Sequence, residues 1–110
     1  KEETPVEKNV RIFTEMGTRH GWLTKEGHLR KTWKRRYFVI TYKTFKYYVD
    51  ETLKKHKGNI NIKNASVSES ESDNRTFIIV DGGGKKFFMQ AESEQDKKEW
   101  VAILKVVITA

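Results

Sequence analysis

The hydrophobic pattern of this chain changes period once, near residue 93, and that change limits the folds open to it. Before that point, apolar and aromatic residues recur in short runs with the two-residue spacing of β-strands, separated by turn-forming residues. After it, one helical face is marked by Trp100, Ile103, Leu104, Val107 and Ile108. About seven short strands followed by one amphipathic helix predict an all-β domain with one C-terminal helix, a small antiparallel barrel or sandwich on which that helix packs.

The boundaries of these elements follow from the same pattern. The predicted strands cover residues 21–25, 33–42, 45–49, 59–63, 66–72, 76–80 and 86–91. Ser93 is suited to cap the helix, and Glu94 and Asp96 place negative charge in its first turn, where the helix dipole favours it. Residues 81–85 predict a tight hairpin turn.

Residues 1–18 lack this strand pattern and are interpreted as an N-terminal extension or linker, with residues 19–110 as the domain. Within the extension, Ile12, Phe13 and Met16 are spaced for a short helical turn. The chain starts without Met and without the apolar stretch of a signal peptide, so we expect a module from a longer protein.

Composition excludes several classes of protein. The chain has 110 residues, of which 36% are hydrophobic and 34% charged, but three Trp, four Tyr and six Phe provide enough large side chains for a core. Cysteine is absent, which excludes disulfides, thiolate metal sites and a cysteine nucleophile, and favours an intracellular setting. No apolar run approaches the length of a membrane-spanning helix.

The net charge of +7 is concentrated in the first half of the chain. Six Lys and Arg against Glu26 alone give residues 25–36 a charge of +5, and residues 37–63 add +4. Residues 66–75 carry −2. Such asymmetry predicts one strongly positive end that attracts an anionic partner, which can be nucleic acid, lipid headgroups or acidic protein.

Alternation within the strands places cations and apolar residues on the same face. Lys34 and Arg36 share a face with Phe38, and Lys25 shares one with Leu23. If that face is the barrel interior, its deep part is apolar and its rim is cationic, which predicts an anion site at the barrel mouth. The alternative is that these long side chains extend separately into water.

Three segments resemble the opening strands of a pleckstrin-homology domain: Gly-Trp-Leu-Thr-Lys at 21–25, Thr-Trp-Lys-Arg-Arg-Tyr-Phe-Val-Ile at 32–40, and Phe-Lys-Tyr-Tyr at 45–48. Residues 91–94 leading to Trp100 are similar to the closing strand and helix, where one Trp anchors the helix. The resemblance covers residues 18–108. It implies a seven-stranded, partly open barrel capped at one end by the helix, with positive loops at the other.

The resemblance also implies a set of ligand-binding residues. Lys25, Lys34 and Arg36 fill the basic signature of members that bind phosphoinositides, and Tyr47 matches a third-strand Tyr that contacts a phosphate. A basic residue before the glycine of strand four falls on Lys57. This set is similar to the subgroup that recognises 3-phosphorylated inositides. The hairpin between strands six and seven is shorter than in some such members, so headgroup selectivity stays open.

Secondary contacts with an anionic membrane are expected from His28, Arg30 and Lys31 in the first loop, where each Lys or Arg adds about 1 kcal/mol. The other notable residues favour simpler interpretations. Trp22, Trp33 and Trp100 are interpreted as packing residues. No catalytic arrangement and no metal-ligand spacing stands out, so we expect neither an enzyme, a metal site nor a cofactor.

Three functions are compatible with the basic charge and the predicted fold. The leading hypothesis is a monomeric module that binds phosphoinositide headgroups and reversibly recruits its parent protein from the cytoplasm to the plasma membrane or endomembranes. The alternative is a protein-interaction module of the same fold with weak, non-specific lipid binding. Its partner would be a GTPase, an acidic peptide or another part of the parent chain, and its interface would lie on Ile60 and Ile62 or on the helix surface. Nucleic-acid binding fits the basic charge, but exposed stacking aromatics are not evident, so it is not expected.

Overall fold

A computed structural model describes residues 2–27 and 31–110 of the chain. Within these residues it contains seven strands and two helices: α1 (Pro5–Met16), β1 (Thr18–Glu26), β2 (Trp33–Thr41), β3 (Phe45–Tyr48), β4 (His56–Ile60), β5 (Ser66–Glu69), β6 (Thr76–Val80), β7 (Lys86–Gln90) and α2 (Glu94–Thr109). Neither described helix is long and apolar enough to span a bilayer.

All seven strands belong to one antiparallel sheet in the order β4-β3-β2-β1-β7-β6-β5. The β1–β2 ladder is the longest, and it runs from the pair Thr18–Thr41 to the pair Glu26–Trp33. β1 also pairs with β7, which connects the two halves of the sheet. The edge strands β4 and β5 do not pair with each other. The barrel that the sheet forms is therefore partly open, as predicted.

The barrel interior and the inner face of α2 form one core. Phe38, Phe45 and Phe77 are fully buried, and so is Trp100 on α2, which gives the predicted helical stripe its place against the sheet. Burying a large apolar side chain stabilises the fold by about 1.5–3 kcal/mol. Gly21 lets β1 pass close to the helix, because a Cβ at that position would lie 3.0 Å from the Trp100 indole.

Polar contacts fix the N-terminal half of α2. The predicted cap is present, since the Ser93 side chain accepts a hydrogen bond from the backbone N–H of Asp96. The Arg19 guanidinium lies 4.7 Å from the centre of the Trp100 ring and forms ion pairs with Asp96 and Glu99 at 2.8 and 3.0 Å. These two carboxylates neutralise the charge of Arg19.

The helical turn predicted near the N-terminus is part of a longer helix than expected, because α1 has 12 residues. Thr4 and Glu7 form a capping box, Pro5 occupies the first turn, and Gly17 ends the helix in the left-handed conformation at φ 75°. Phe13 is 1% exposed and belongs to the core. Its ring centre lies 5.1 Å from that of Tyr42, so α1 is docked on the barrel. The division into residues 1–18 and 19–110 stays a prediction.

The fourth strand also differs from its prediction at 59–63, since β4 begins at His56 and ends at Ile60. A register shift between Tyr47 and Tyr48 in β3 moves the pairing of β4 at its start. Ile62 is buried although it lies beyond the strand, so its apolar character reflects packing within a loop.

We predict that Phe13→Ala lowers the free energy of unfolding by about 3–5 kcal/mol, because it leaves a cavity beneath α1. Urea denaturation followed by circular dichroism measures the change. Met16→Ala on the same helix is the matched control, since Met16 is 70% exposed and its loss is expected to change the stability by less than about 0.5 kcal/mol. Equal effects of the two substitutions would show that α1 is not docked.

Candidate anion-binding site

Three neighbouring strands bring four of the predicted site residues to one end of the barrel. Lys25 in β1 pairs with Lys34 in β2, and two positions further along the same ladder Leu23 pairs with Arg36. Tyr47 in β3 pairs with Gly58 in β4. Because alternate residues share a face, the polar ends of these strands continue the face that carries the buried core. We call the cluster of Lys25, Lys34, Arg36 and Tyr47 the mouth.

Lys25 is the most enclosed cation of the mouth. Its Nζ lies 5.3 Å from the centre of the Tyr47 ring and 5.6 Å from that of Phe87. Burial lowers the pKa of Lys25, and the positive charges of Lys85, Arg36 and Lys34 lower it further. Within the described residues no carboxylate forms an ion pair with Lys25. The ammonium group is therefore partly desolvated and surrounded by like charge.

Tyr47 forms one wall of the mouth. Its ring stacks on Phe38 with 5.0 Å between ring centres, and it lies so close to Gly58 that a Cβ there would be 2.4 Å from the phenol oxygen. Burial raises the pKa of Tyr47, with an opposing effect from Arg36. The phenol therefore stays protonated at neutral pH and can donate a hydrogen bond.

Lys34 is exposed at the mouth, and Arg36 is half-buried. Arg36 uses Nη1 to donate a 3.0 Å hydrogen bond to the carbonyl oxygen of Arg35. Neither Arg36 nor Lys34 has an ion pair among the described residues. Arg35, on the opposite face, lies 4.1 Å from the Trp22 ring centre and pairs with Glu92. Among these three consecutive basic residues, Arg35 faces outward and is neutralised by Glu92, whereas Lys34 and Arg36 have no carboxylate partner in the described part of the chain.

Lys85 is a fifth residue of the mouth, which from here on includes it, and it is not among the site residues predicted from the sequence. It lies just before β7, its Nζ is 5.2 Å from the Phe87 ring centre, and it is the nearby charge that lowers the pKa of Lys25 most. The sequence pattern predicts only a turn for residues 81–85. Lys85 stands two positions before Phe87, so the alternation that linked Lys34 and Arg36 to the interior would have placed it on the same face.

The remaining predicted contacts are not joined to the mouth in the same way. Lys57 is exposed in β4, beside the register shift, and no described contact connects it to the mouth. Lys31 is exposed and lines a separate cleft of about 180 Å³ together with Glu26 and Lys86. His28 and Arg30 lie outside the described residues.

The three tryptophans differ in environment. Trp100 is fully buried, and Trp22 packs edge-on against Tyr37 with 5.3 Å between ring centres, so both are packing residues as predicted. The same interpretation of Trp33 was wrong, because Trp33 is 45% exposed. It is the first residue of β2, and its partner Glu26 is the last of β1, so strand pairing at the end of the ladder leaves its ring in solvent.

Comparisons with known proteins agree with this architecture. The family model described as "PH domain" matches residues 17–109. Switch-associated protein 70 of Mus musculus is 33% identical over 86 residues, covering 76% of this chain and 15% of that protein. Cytohesin-4 of Mus musculus is 28% identical over 114 residues, covering 83% of this chain and 29% of that protein. The chain thus spans less than a third of the length of these curated relatives.

Solved structures show the same fold. The C-terminal PH domain of pleckstrin in complex with D-myo-Ins(1,2,3,5,6)P5 superimposes with a TM-score of 0.77 at 27% identity, covering 82% of this chain and 93% of that one. The PH domain of human oxysterol binding protein-related protein 11 gives a TM-score of 0.76 at 25% identity, covering 84% of this chain and 80% of that one. With the family match over residues 17–109, these similarities show that the chain belongs to the PH domain family.

Proposed function

We propose that this domain binds phosphoinositide headgroups at the mouth and thereby recruits its parent protein to membranes. The observation that carries the proposal is the partly buried Lys25, surrounded by three other cations without a carboxylate partner in the described chain. A phosphorylated headgroup would supply the missing negative charge. The solved complexes of the C-terminal pleckstrin PH domain with two inositol pentakisphosphates support the same chemistry at this fold.

Each residue of the mouth has a chemical role in this proposal. The Arg36 guanidinium offers a planar pair of donors for two phosphate oxygens, whereas Lys25, Lys34 and Lys85 act as point charges. The protonated Tyr47 hydroxyl donates to a phosphate oxygen. Hydrogen bonds to charged groups contribute about 1.5–3 kcal/mol each, so three or four of them reach micromolar affinity or better after ordering costs.

The finer features of the function belong to the same proposal. We expect preference for 3-phosphorylated inositides, with Lys57 and the loop residues His28, Arg30 and Lys31 adding contacts once the bilayer is near. Binding is reversible and the domain acts as a monomer from the cytoplasm, as a binding module without catalytic residues of its own. A titration with soluble inositol phosphates that differ only in 3-phosphorylation tests the preference.

We predict that Arg36→Glu abolishes binding to phosphoinositide vesicles while the Tm stays nearly unchanged, because the side chain makes no ion pair in the described structure. Vesicle sedimentation and thermal denaturation measure the two quantities. Lys105→Glu is the control, since it makes the same charge change at an exposed position on α2. Retention of vesicle binding by Arg36→Glu would contradict the proposal.

Replacing Lys85 with alanine is expected to weaken binding of inositol 1,3,4,5-tetrakisphosphate about tenfold, the value of one charge-assisted hydrogen bond. Isothermal titration calorimetry measures the dissociation constant. Lys86→Ala, one position along, serves as the control, because Lys86 lines the separate cleft with Lys31. If the two substitutions weaken binding equally, Lys85 does not belong to the headgroup site.

Lys25→Met is predicted to raise the Tm of the free domain by about 2–4 °C and to remove its stabilisation by inositol phosphates. The pKa of Lys25 is lowered in the folded state, so the unfolded chain binds the proton more tightly. Between the lowered pKa and the ordinary value, the stability of the unsubstituted domain therefore increases with pH, and Lys25→Met loses this slope. The gain is small, because the ammonium group is still partly hydrated. A lower Tm for Lys25→Met would show that burial and repulsion at the mouth do not destabilise the charged form of Lys25.

A further inference from the structure

A second concave surface shares none of its lining residues with the mouth. It is a groove of about 580 Å³ between the β2–β3 turn, the free edge strand β4, the loop that follows β4, and the last turn of α2. Its lining combines apolar residues with lysines, among them Tyr42, Ile62, Val107, Lys43, Lys46 and Lys63. The β2–β3 turn follows Thr41, seven residues along β2 from Lys34, which corresponds to about 23 Å of strand.

The charged side chains of this groove are all positive. None of the residues that line it carries an acidic side chain. In the described part of the chain, Lys43, Lys46 and Lys63 form no ion pair, whereas Arg11, Arg19, Arg35, Lys97 and Lys98 all do. The groove therefore complements an acidic partner.

The shape and backbone of the groove favour an extended peptide. β4 pairs with β3 on one side only, so its other edge offers main-chain N–H and C=O groups to an added strand. The alternative interface of the sequence analysis, Ile60 and Ile62, is buried to 2% and 7% exposure, so those side chains form the base of the groove and not a protruding surface. A flat bilayer cannot reach a concave base, but a single strand can.

We propose that this groove binds an extended acidic peptide segment, with carboxylates facing Lys43, Lys46 and Lys63 and alternate apolar side chains on the surface formed by Ile62, Val107 and Ile108. Alternation of the two residue types follows from the two-residue period of a strand. Because the groove and the mouth use different residues, peptide and headgroup bind independently, and a domain held at a membrane by its mouth still presents the groove to a protein.

The test uses a short fluorescein-labelled peptide in which glutamate alternates with isoleucine or valine, with binding measured by fluorescence anisotropy. The double substitution Lys43→Glu with Lys63→Glu is expected to weaken binding by about a hundredfold, tenfold for each lost charge contact. The matched control is Lys8→Glu with Lys105→Glu, an equal charge change at exposed positions outside the groove, which is expected to leave the affinity within about twofold. Both lysine pairs are exposed, and thermal denaturation verifies folding.

Several results would overturn the proposal. The first is that the peptide does not bind to the unsubstituted domain. The second is that the two double substitutions weaken binding equally. The third is that a peptide with serine in place of its apolar residues binds as tightly as the original peptide. Loss of binding to phosphatidylserine vesicles in Lys43→Glu with Lys63→Glu would assign the groove to a membrane surface instead. Arg36→Glu distinguishes the two sites, because it is expected to remove headgroup binding and to leave peptide binding unchanged. Failure of the first expectation contradicts the headgroup site alone, and absence of peptide binding contradicts the groove alone.

Discussion

In the long ladder between β1 and β2, Lys25 lies opposite Lys34 and Leu23 lies opposite Arg36. This register decides which side chains enter the barrel, because a slip of one residue would turn every side chain of a strand to the other face. The buried residues of β1 and β2, Leu23, Phe38 and Ile40, hold the register through their place in the core. The core and the mouth thus lie on one continuous face, and the packing that stabilises the fold also brings the cations together.

The fold was predictable from the sequence because its signals are local and repeated. Strand alternation, the period change at residue 93 and the cap at Ser93 all agree with the structure. The inward positions of Lys25 and Arg36 follow from the same alternation. Alternation cannot supply the path of the chain between strands, and β4 accordingly begins at His56 and not at the predicted residue 59.

Other features were missed although their signals were present. The capping box of Thr4 and Glu7 and the left-handed Gly17 specify α1, but the depth at which Phe13 is buried depends on tertiary contacts with Tyr42. Alternation with Phe87 indicated that Lys85 shares the inner face, but its closeness to Lys25 depends on β7 lying beside β1. The exposure of Trp33 likewise depends on where the β1–β2 ladder ends. The residue type alone indicated a buried side chain.

The strand β1 carries two basic residues in opposite circumstances. Arg19, at its start, is matched by Asp96 and Glu99 of α2. Lys25, about 20 Å further along the strand, forms no ion pair in the described part of the chain, and three nearby positive charges lower its pKa. The start of β1 is therefore balanced in charge, whereas its end at the mouth is positive. A charge asymmetry of this kind turns a diffusing molecule towards an oppositely charged partner before the two touch. Dissolved salt then acts mainly on how fast the encounter occurs, and only weakly on how long the complex lasts.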